Sequence, residues 1–212
     1  MADGVALASR ASNTDPKKAE LLRYDVHGGL PPGVFEALRA DRLLLVEVAR
    51  RLLDASFPES LHEEIAAAVG LDLAEGTAPR RRDPAFRVRV LRAYEFRCAV
   101  CGYDLRLGDV QIGLEAAHIK WHQAGGPDEE TNGLALCSLH HKAFDLGAFT
   151  IGDDLGLRLS ASLHGGEAFE RVFLAHHGRA IRPTPDPGHR PGEGFLAWHR
   201  REVFRKPERW VG

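Results

Sequence analysis

Two short motifs gather soft metal donors. Cys98-Ala99-Val100-Cys101 is a CxxC, and Cys137-Ser138-Leu139-His140 is a CxxH. Donors two residues apart in a tight loop can face one ion, and two such pairs complete the tetrahedron that a structural zinc ion takes. Gly102, directly after the first pair, suits such a knuckle. The zinc reading uses all three cysteines of the chain. The alternatives are a buried free thiol beside a surface CxxC, or a redox CxxC. No strand–CxxC–helix pattern of the thioredoxin kind surrounds the motif.

A second set of residues lies between and beside these pairs. Leu114-Glu115-Ala116-Ala117-His118-Ile119-Lys120-Trp121 comes first, then Gly125-Gly126-Pro127, then Thr131-Asn132-Gly133-Leu134-Ala135-Leu136, and finally His140-His141-Lys142. Cutting a phosphodiester needs an activated water, a cation on the phosphate and a fixed orientation. A neutral histidine can take a proton from water near pH 7. Neighbouring residues on a helix point about 100° apart, so His140 can serve one site while His141 serves another.

This constellation, over about residues 84–155, resembles the HNH nucleases of the ββα-metal type. The resemblance implies that His118 is the general base, that Asn132 holds the hairpin and orients that base, and that His141 binds a catalytic Mg²⁺ or Mn²⁺. It implies a structural Zn²⁺ on Cys98, Cys101, Cys137 and His140. Two departures stand out. Many relatives carry a metal-binding Asp directly before the first histidine, and here that position is Ala117. Hard cations want oxygen ligands, so Asp145, four residues after His141, is the candidate replacement and Glu115 a weaker one. The fourth zinc ligand is His140 where many relatives have Cys. Lys120 and His122 read as neighbours of the phosphate.

The elements that must hold these residues are readable more coarsely. Apolar residues recur at helical spacing from Val34 to about Ser56, which predicts one or two helices. Ser56-Phe57-Pro58-Glu59-Ser60 breaks that pattern. Ser60 then reads as an N-cap with Glu63 as its capping-box partner, opening a helix over Leu61–Val69 that ends at Gly70. Residues 71–84 read as a linker. Asp83 and Pro84 predict the start of the next helix, with Phe86, Val90, Leu91 and Tyr94 on one face and Arg87, Arg89 and Arg92 off it. Further helices are expected at Glu167–His177 and Gly194–Phe204, with Trp198 and Phe204 in the core. The expected fold class is α+β. A mostly helical DNA-recognition domain over 1–78 precedes a zinc-stapled ββα-metal nuclease domain over 79–212.

The stretch from Leu43 to Leu71, with Phe57-Pro58 between helices, resembles the sulfur-binding domains fused to HNH nucleases in type IV restriction enzymes. That resemblance implies recognition of phosphorothioate DNA. Sulfur is large, polarisable and poorly hydrated, so an apolar dimple of Phe57, Pro58 and Leu61 would suit it. Arg42 or His62 would neutralise the charge, and Arg80, Arg81 and Arg82 would follow the backbone or read guanine edges. The bland alternative is that Phe57 and Pro58 staple two helices.

Composition sets the outer limits. The chain has 212 residues, 44% apolar and 27% charged, with a net charge of −2. Residues 1–75 carry 8 basic and 13 acidic side chains, and residues 76–212 carry 20 and 17. Seven arginines fall between Arg80 and Arg97, against Asp83 and Glu95. A local arginine stripe suits phosphate contacts, although it is also what a solvated helix face looks like. No run of 18 apolar residues is present, so no membrane span is expected. The first residues lack a secretory pattern. Few cysteines and a metal motif predict a reducing, cytoplasmic setting. One active site cuts one strand, which predicts a homodimer on double-stranded DNA. The rival readings are a nuclease for methylated or unmodified DNA, and a non-catalytic regulator on a zinc scaffold.

Overall fold

The computed structural model describes residues 29–71, 73 and 84–210. Arg80, Arg81, Arg82 and Asp83, together with the expected boundary at 78/79, lie outside the described residues. Two compact units divide the chain, Met1–Leu45 and Val46–Gly212.

In the first unit, helix α1 spans Pro32–Ala40 and has no buried residue. Pro32 takes the first helical position, where its missing N–H costs nothing. Asp41 ends α1, and its carboxylate accepts a hydrogen bond from Leu44 N (3.0 Å), so it caps α2, Arg42–Ser56. Helix α2 crosses into the second unit, where Val46 and Leu53 are its buried residues.

In the second unit, a 3-10 turn at Glu59–Leu61 leads into α3, His62–Ala68. Gly70 follows with φ +70°, a left-handed C-terminal position that favours glycine. The capping expectation for Ser60 is overturned. The N-cap of α3 is Leu61, without a side-chain cap, and the Ser60 hydroxyl bonds Asp145 instead. Helix α4, Pro84–Ala93, buries Phe86, Val90 and Leu91, with Tyr94 buried just past its end.

A small hairpin, β1 (Arg106–Leu107) with β2 (Val110–Gln111), precedes the central pair. Strands β3 (Leu114–His118) and β4 (Gly133–Cys137) are antiparallel, in the register Leu114↔Cys137 to His118↔Gly133. Helix α5, Ser138–Asp145, follows β4 without a gap and packs on both strands. A third hairpin, β5 (Phe149–Ile151) with β6 (Leu157–Leu159), extends the core, and α6 (Glu167–Val172) and α7 (Glu193–Glu202) complete it. One buried cluster joins α4, the central hairpin, α5 and β5–β6 through Tyr94, Leu114, Leu134, Phe144, Phe149 and Leu157. The architecture is mixed α+β, with helices in the N-terminal part and a ββα unit at the centre.

The C-terminal expectations need correction. Helix α6 stops at Val172, and a 3-10 turn covers Leu174–His176. In α7 the buried residues are Leu196 and His199, whereas Trp198 and Phe204 are only half-buried. The helical period puts Leu196 and His199 on the face towards β5, which leaves Trp198 off it. No described helix is long and apolar enough to cross a membrane.

Candidate active site and metal centre

The metal knuckle is held by backbone geometry. Gly102 takes φ +74° and donates its N–H to Cys98 O (2.9 Å), closing the turn that carries the two thiols. Ala99 N donates to Ala135 O, tying the knuckle to β4. The second pair sits at the β4–α5 junction, where Cys137 ends the strand and His140 lies in the first turn of the helix. The four ligand atoms of Cys98, Cys101, Cys137 and His140 lie within 4.8 Å of one another. His140 Nδ1 stands 3.1 Å from Cys137 Sγ and 3.7 Å from Cys98 Sγ, while its Nε2 donates to Val172 O (3.0 Å). That second bond fixes the ring so that Nδ1 faces the thiols, as outer-shell partners of metal-bound histidines do. Burial pushes the His140 pKa down, but the thiols of Cys137 and Cys98 raise it further, to about 9. So dense a set of thiol donors and one imidazole fits a tetrahedral Zn²⁺.

Asn132 is wholly buried at the end of a 3-10 turn before β4. It therefore directly precedes the second strand. Its Oδ1 accepts from Lys120 N (2.8 Å), and its Nδ2 donates to Lys120 O (3.0 Å) and Pro127 O (2.9 Å). One side chain thus ties together both ends of the loop that connects β3 and β4. Close packing supports the same loop at Gly126, where a Cβ would stand 1.9 Å from Lys120 O. Gly133 likewise leaves room for Val90, whose Cγ2 would be 2.3 Å from a Cβ there.

His118 ends β3. Its ring stacks on Phe86 of α4, with centroids 4.1 Å apart and planes at 13°. Its Nε2 lies 2.7 Å from Asp128 Oδ1. Asp128 was not foreseen from the sequence. The available signal was the Gly-Gly-Pro turn directly before it, which folds the loop back towards the strand end.

His141 is only 4% exposed and sits between two carboxylates. Its Nδ1 is 2.5 Å from Glu115 Oε2 and its Nε2 is 3.2 Å from Asp145 Oδ2. Burial pulls its pKa down, and Asp145 and Glu115 overcome that, holding it at about 9. A protonated ring between two carboxylates marks a place where a divalent cation can substitute for protons. The ring nitrogens point apart, so one ion cannot sit on both. Glu115 shares a strand face with Ala117 by the two-residue period and is half-exposed, whereas Asp145 is 3% exposed and also bonds the Ser60 hydroxyl. Lys142 contacts Ser60 O and pairs with Glu64 (3.1 Å).

Three arginines of the stripe are engaged by the protein itself. Arg87 donates to Leu114 O, and Arg89 donates to Asp128 O and pairs with Glu130 (3.0 Å). Arg97 pairs with Asp104. Of the expected recognition residues, Arg42 opens α2 within the first unit. In the second unit, Phe57 is 38% exposed, Pro58 is buried and Leu61 is 6% exposed. His62 Nε2 is 2.8 Å from Phe57 O, a bond within the turn.

Residues 98–152 match the HNH endonuclease family. The matched segment runs from the first zinc-ligand pair through α5 and β5, so it contains His118, Asn132, His141 and the whole Cys3His cluster. A solved structure titled "Modification dependent TagI restriction endonuclease" superposes at TM-score 0.45 with 25% sequence identity, over 65% of this chain and 42% of that chain. The chain therefore spans less than half the length of that protein. No curated protein matches the chain.

Proposed function

We propose that the protein is a metal-dependent DNA endonuclease directed to modified DNA, with phosphorothioate as the modification read. The observation that carries the nuclease reading is the arrangement of one β3–β4–α5 unit. It places His118 at a strand end, Asn132 at the loop base and His141 on the helix, all inside the HNH segment. The bound divalent cation would stabilise negative charge on the phosphate and the leaving oxygen.

The rest is chemistry of this chain. With its hydrogen on Nε2, the neutral His118 ring has its lone pair on Nδ1. Nδ1 takes a proton from water, the water oxygen bonds phosphorus, and the phosphorus bond to the departing sugar oxygen breaks. That oxygen then takes a proton from solvent. Asn132 keeps the β3–β4 loop closed around the base. His141 and Glu115 would hold Mg²⁺ or Mn²⁺, with Asp145 orienting the ring from behind through Nε2. Cys98, Cys101, Cys137 and His140 would hold the structural Zn²⁺.

Recognition is assigned to the helical region before residue 79. Its support is the sequence resemblance to sulfur-binding domains and the exposed Phe57 ring at the α2–α3 turn. Double-strand cutting would take two copies of the chain. The test is a paired assay on matched duplexes, one phosphorothioate-modified and one plain, with Mn²⁺, Mg²⁺ or EDTA. Metal-dependent cutting of the modified duplex alone is the expected result. Equal cutting of both would keep the nuclease and remove the sulfur reading. Binding without cutting, under every metal, would favour a zinc-scaffolded regulator.

A further inference from the structure

We propose that Asp128 is a positioning residue for the His118 base, and that Asn132 helps hold the loop carrying it. The inference rests on the nuclease reading above and names a part that reading does not contain.

The His118 ring is constrained on two sides. Phe86 covers one face at 4.1 Å, nearly parallel. Asp128 Oδ1 engages the edge at Nε2, at 2.7 Å. A carboxylate only accepts, so this contact fixes hydrogen on Nε2 and the acceptor lone pair on Nδ1. The histidine side chain is 15% exposed and the Asp128 side chain 32%, so the pair sits at the rim of the protein, where DNA can reach it.

Asp128 itself is placed by its backbone. Pro127 O, one residue before it, accepts from Asn132 Nδ2, and Asp128 O accepts from Arg89 (2.7 Å). Arg89 also pairs with Glu130. Asn132 N donates to Glu129 O, and Gly126 packs against Lys120 O too closely for any side chain. The loop from Gly126 to Asn132 is therefore pinned on both sides of Asp128. Asn132 touches no atom of the His118 ring in these hydrogen bonds. It acts on the backbone, at Ile119 and Lys120 just past the base and at Pro127 just before Asp128. Arg87 and Arg89, two residues apart on α4, hold that helix and its Phe86 against the hairpin and the loop.

A carboxylate beside the base has a second effect. It favours the imidazolium that forms when Nδ1 takes a proton. The charged or titratable groups around the ring include Asp128 from the loop, His122 with its ring 6.0 Å away, and Arg89 of α4, which reaches the Asp128 carbonyl.

The test uses the full chain in four forms: native, Asp128→Asn, Asp128→Glu and His118→Ala. Cleavage of a DNA duplex with Mn²⁺ is followed as kcat and KM across pH, and the His118 ring is titrated by NMR in the native and Asp128→Asn proteins. Asp128→Asn is expected to lower kcat by at least about tenfold, as outer-shell orienting groups do, with KM for the duplex unchanged. The acidic limb of its kcat profile and the His118 titration both shift to lower pH, and Asp128→Glu recovers part of kcat. Melting temperatures show that the variants are folded. Unchanged kcat and acidic limb in Asp128→Asn, beside an inactive His118→Ala, would overturn the positioning role. An unmoved His118 titration would overturn the pairing even if no form cuts DNA, and absence of cutting by the native protein would count against the nuclease reading alone.

Discussion

Asn132 concentrates more structural consequence than any other side chain in the β3–β4 loop. Its three hydrogen bonds reach backbone groups of Lys120 and Pro127, and it is wholly buried. Asn132→Ala leaves those groups unpaired, which is expected to cost about 3 kcal/mol and lower the melting temperature by about 6–12 °C for a chain of this size. Scanning calorimetry of the variant checks it, and a shift under about 2 °C would contradict the account. At this scale the sequence was informative where residue types are rare and clustered. Cys98, Cys101, Cys137, His140, His118 and His141 stood out because few other roles suit that spacing. Asp128 and the bond from Ser60 to Asp145 were illegible. An aspartate in a polar loop and a serine before a helix have common local explanations, and only the chain's folding brings Asp128 to His118 and Ser60 across to α5.

Among the elements, the ββα unit depends on the knuckle that staples its two ends. Cys98 and Cys101 approach from the segment before β1, and Cys137 and His140 from the β4–α5 junction. A zinc ion on these donors would link segments far apart in sequence, and its binding energy would become folding energy. Cys137→Ser is expected to abolish stoichiometric zinc and to lower the melting temperature, and a strong chelator should do the same to the native protein. Elemental analysis with thermal melts reads both. Zinc content of one ion per chain in the serine variant would contradict the assignment. A second test lies in the loop. Gly126→Ala forces Lys120 O and Asn132 apart, so it is expected to reduce cleavage more than a substitution at exposed Glu129 does, with folding checked by calorimetry. Helix existence was legible from apolar spacing, as with α1, α2 and α4. Helix ends were less so, because Ser60 spends its hydroxyl on a tertiary partner and the chain after Val172 tightens into a 3-10 turn.

At the scale of the whole molecule, His199 is a buried titratable group outside the ββα unit. His199 of α7 stacks on Phe144 at 3.7 Å, donates from Nε2 to Phe144 O and accepts at Nδ1 from Thr150 Oγ1. Burial pushes its pKa down to about 4. The unfolded chain binds that proton at about 6.5, so the contribution of neutral His199 is full above pH 6.5 and is lost as pH falls towards 4, up to about 3 kcal/mol. The native protein is expected to lose more melting temperature between pH 7 and pH 5 than His199→Gln does, and equal losses would contradict this. That helices precede the ββα unit was readable from apolar spacing and breaker residues. What the helical part reads was not, because an exposed Phe57 beside a proline suits a ligand and a helix staple alike.

The central claim is that His118 is the base of a metal-dependent phosphodiester cut. The most direct measurement compares native protein with His118→Ala on a DNA duplex, with Mn²⁺ or EDTA, while binding of the same duplex is followed without metal. The account predicts cutting by the native protein with Mn²⁺ only, a rate at least about 100-fold lower in His118→Ala, and equal binding by both. Equal cutting by the two proteins, or cutting that survives EDTA, would contradict it.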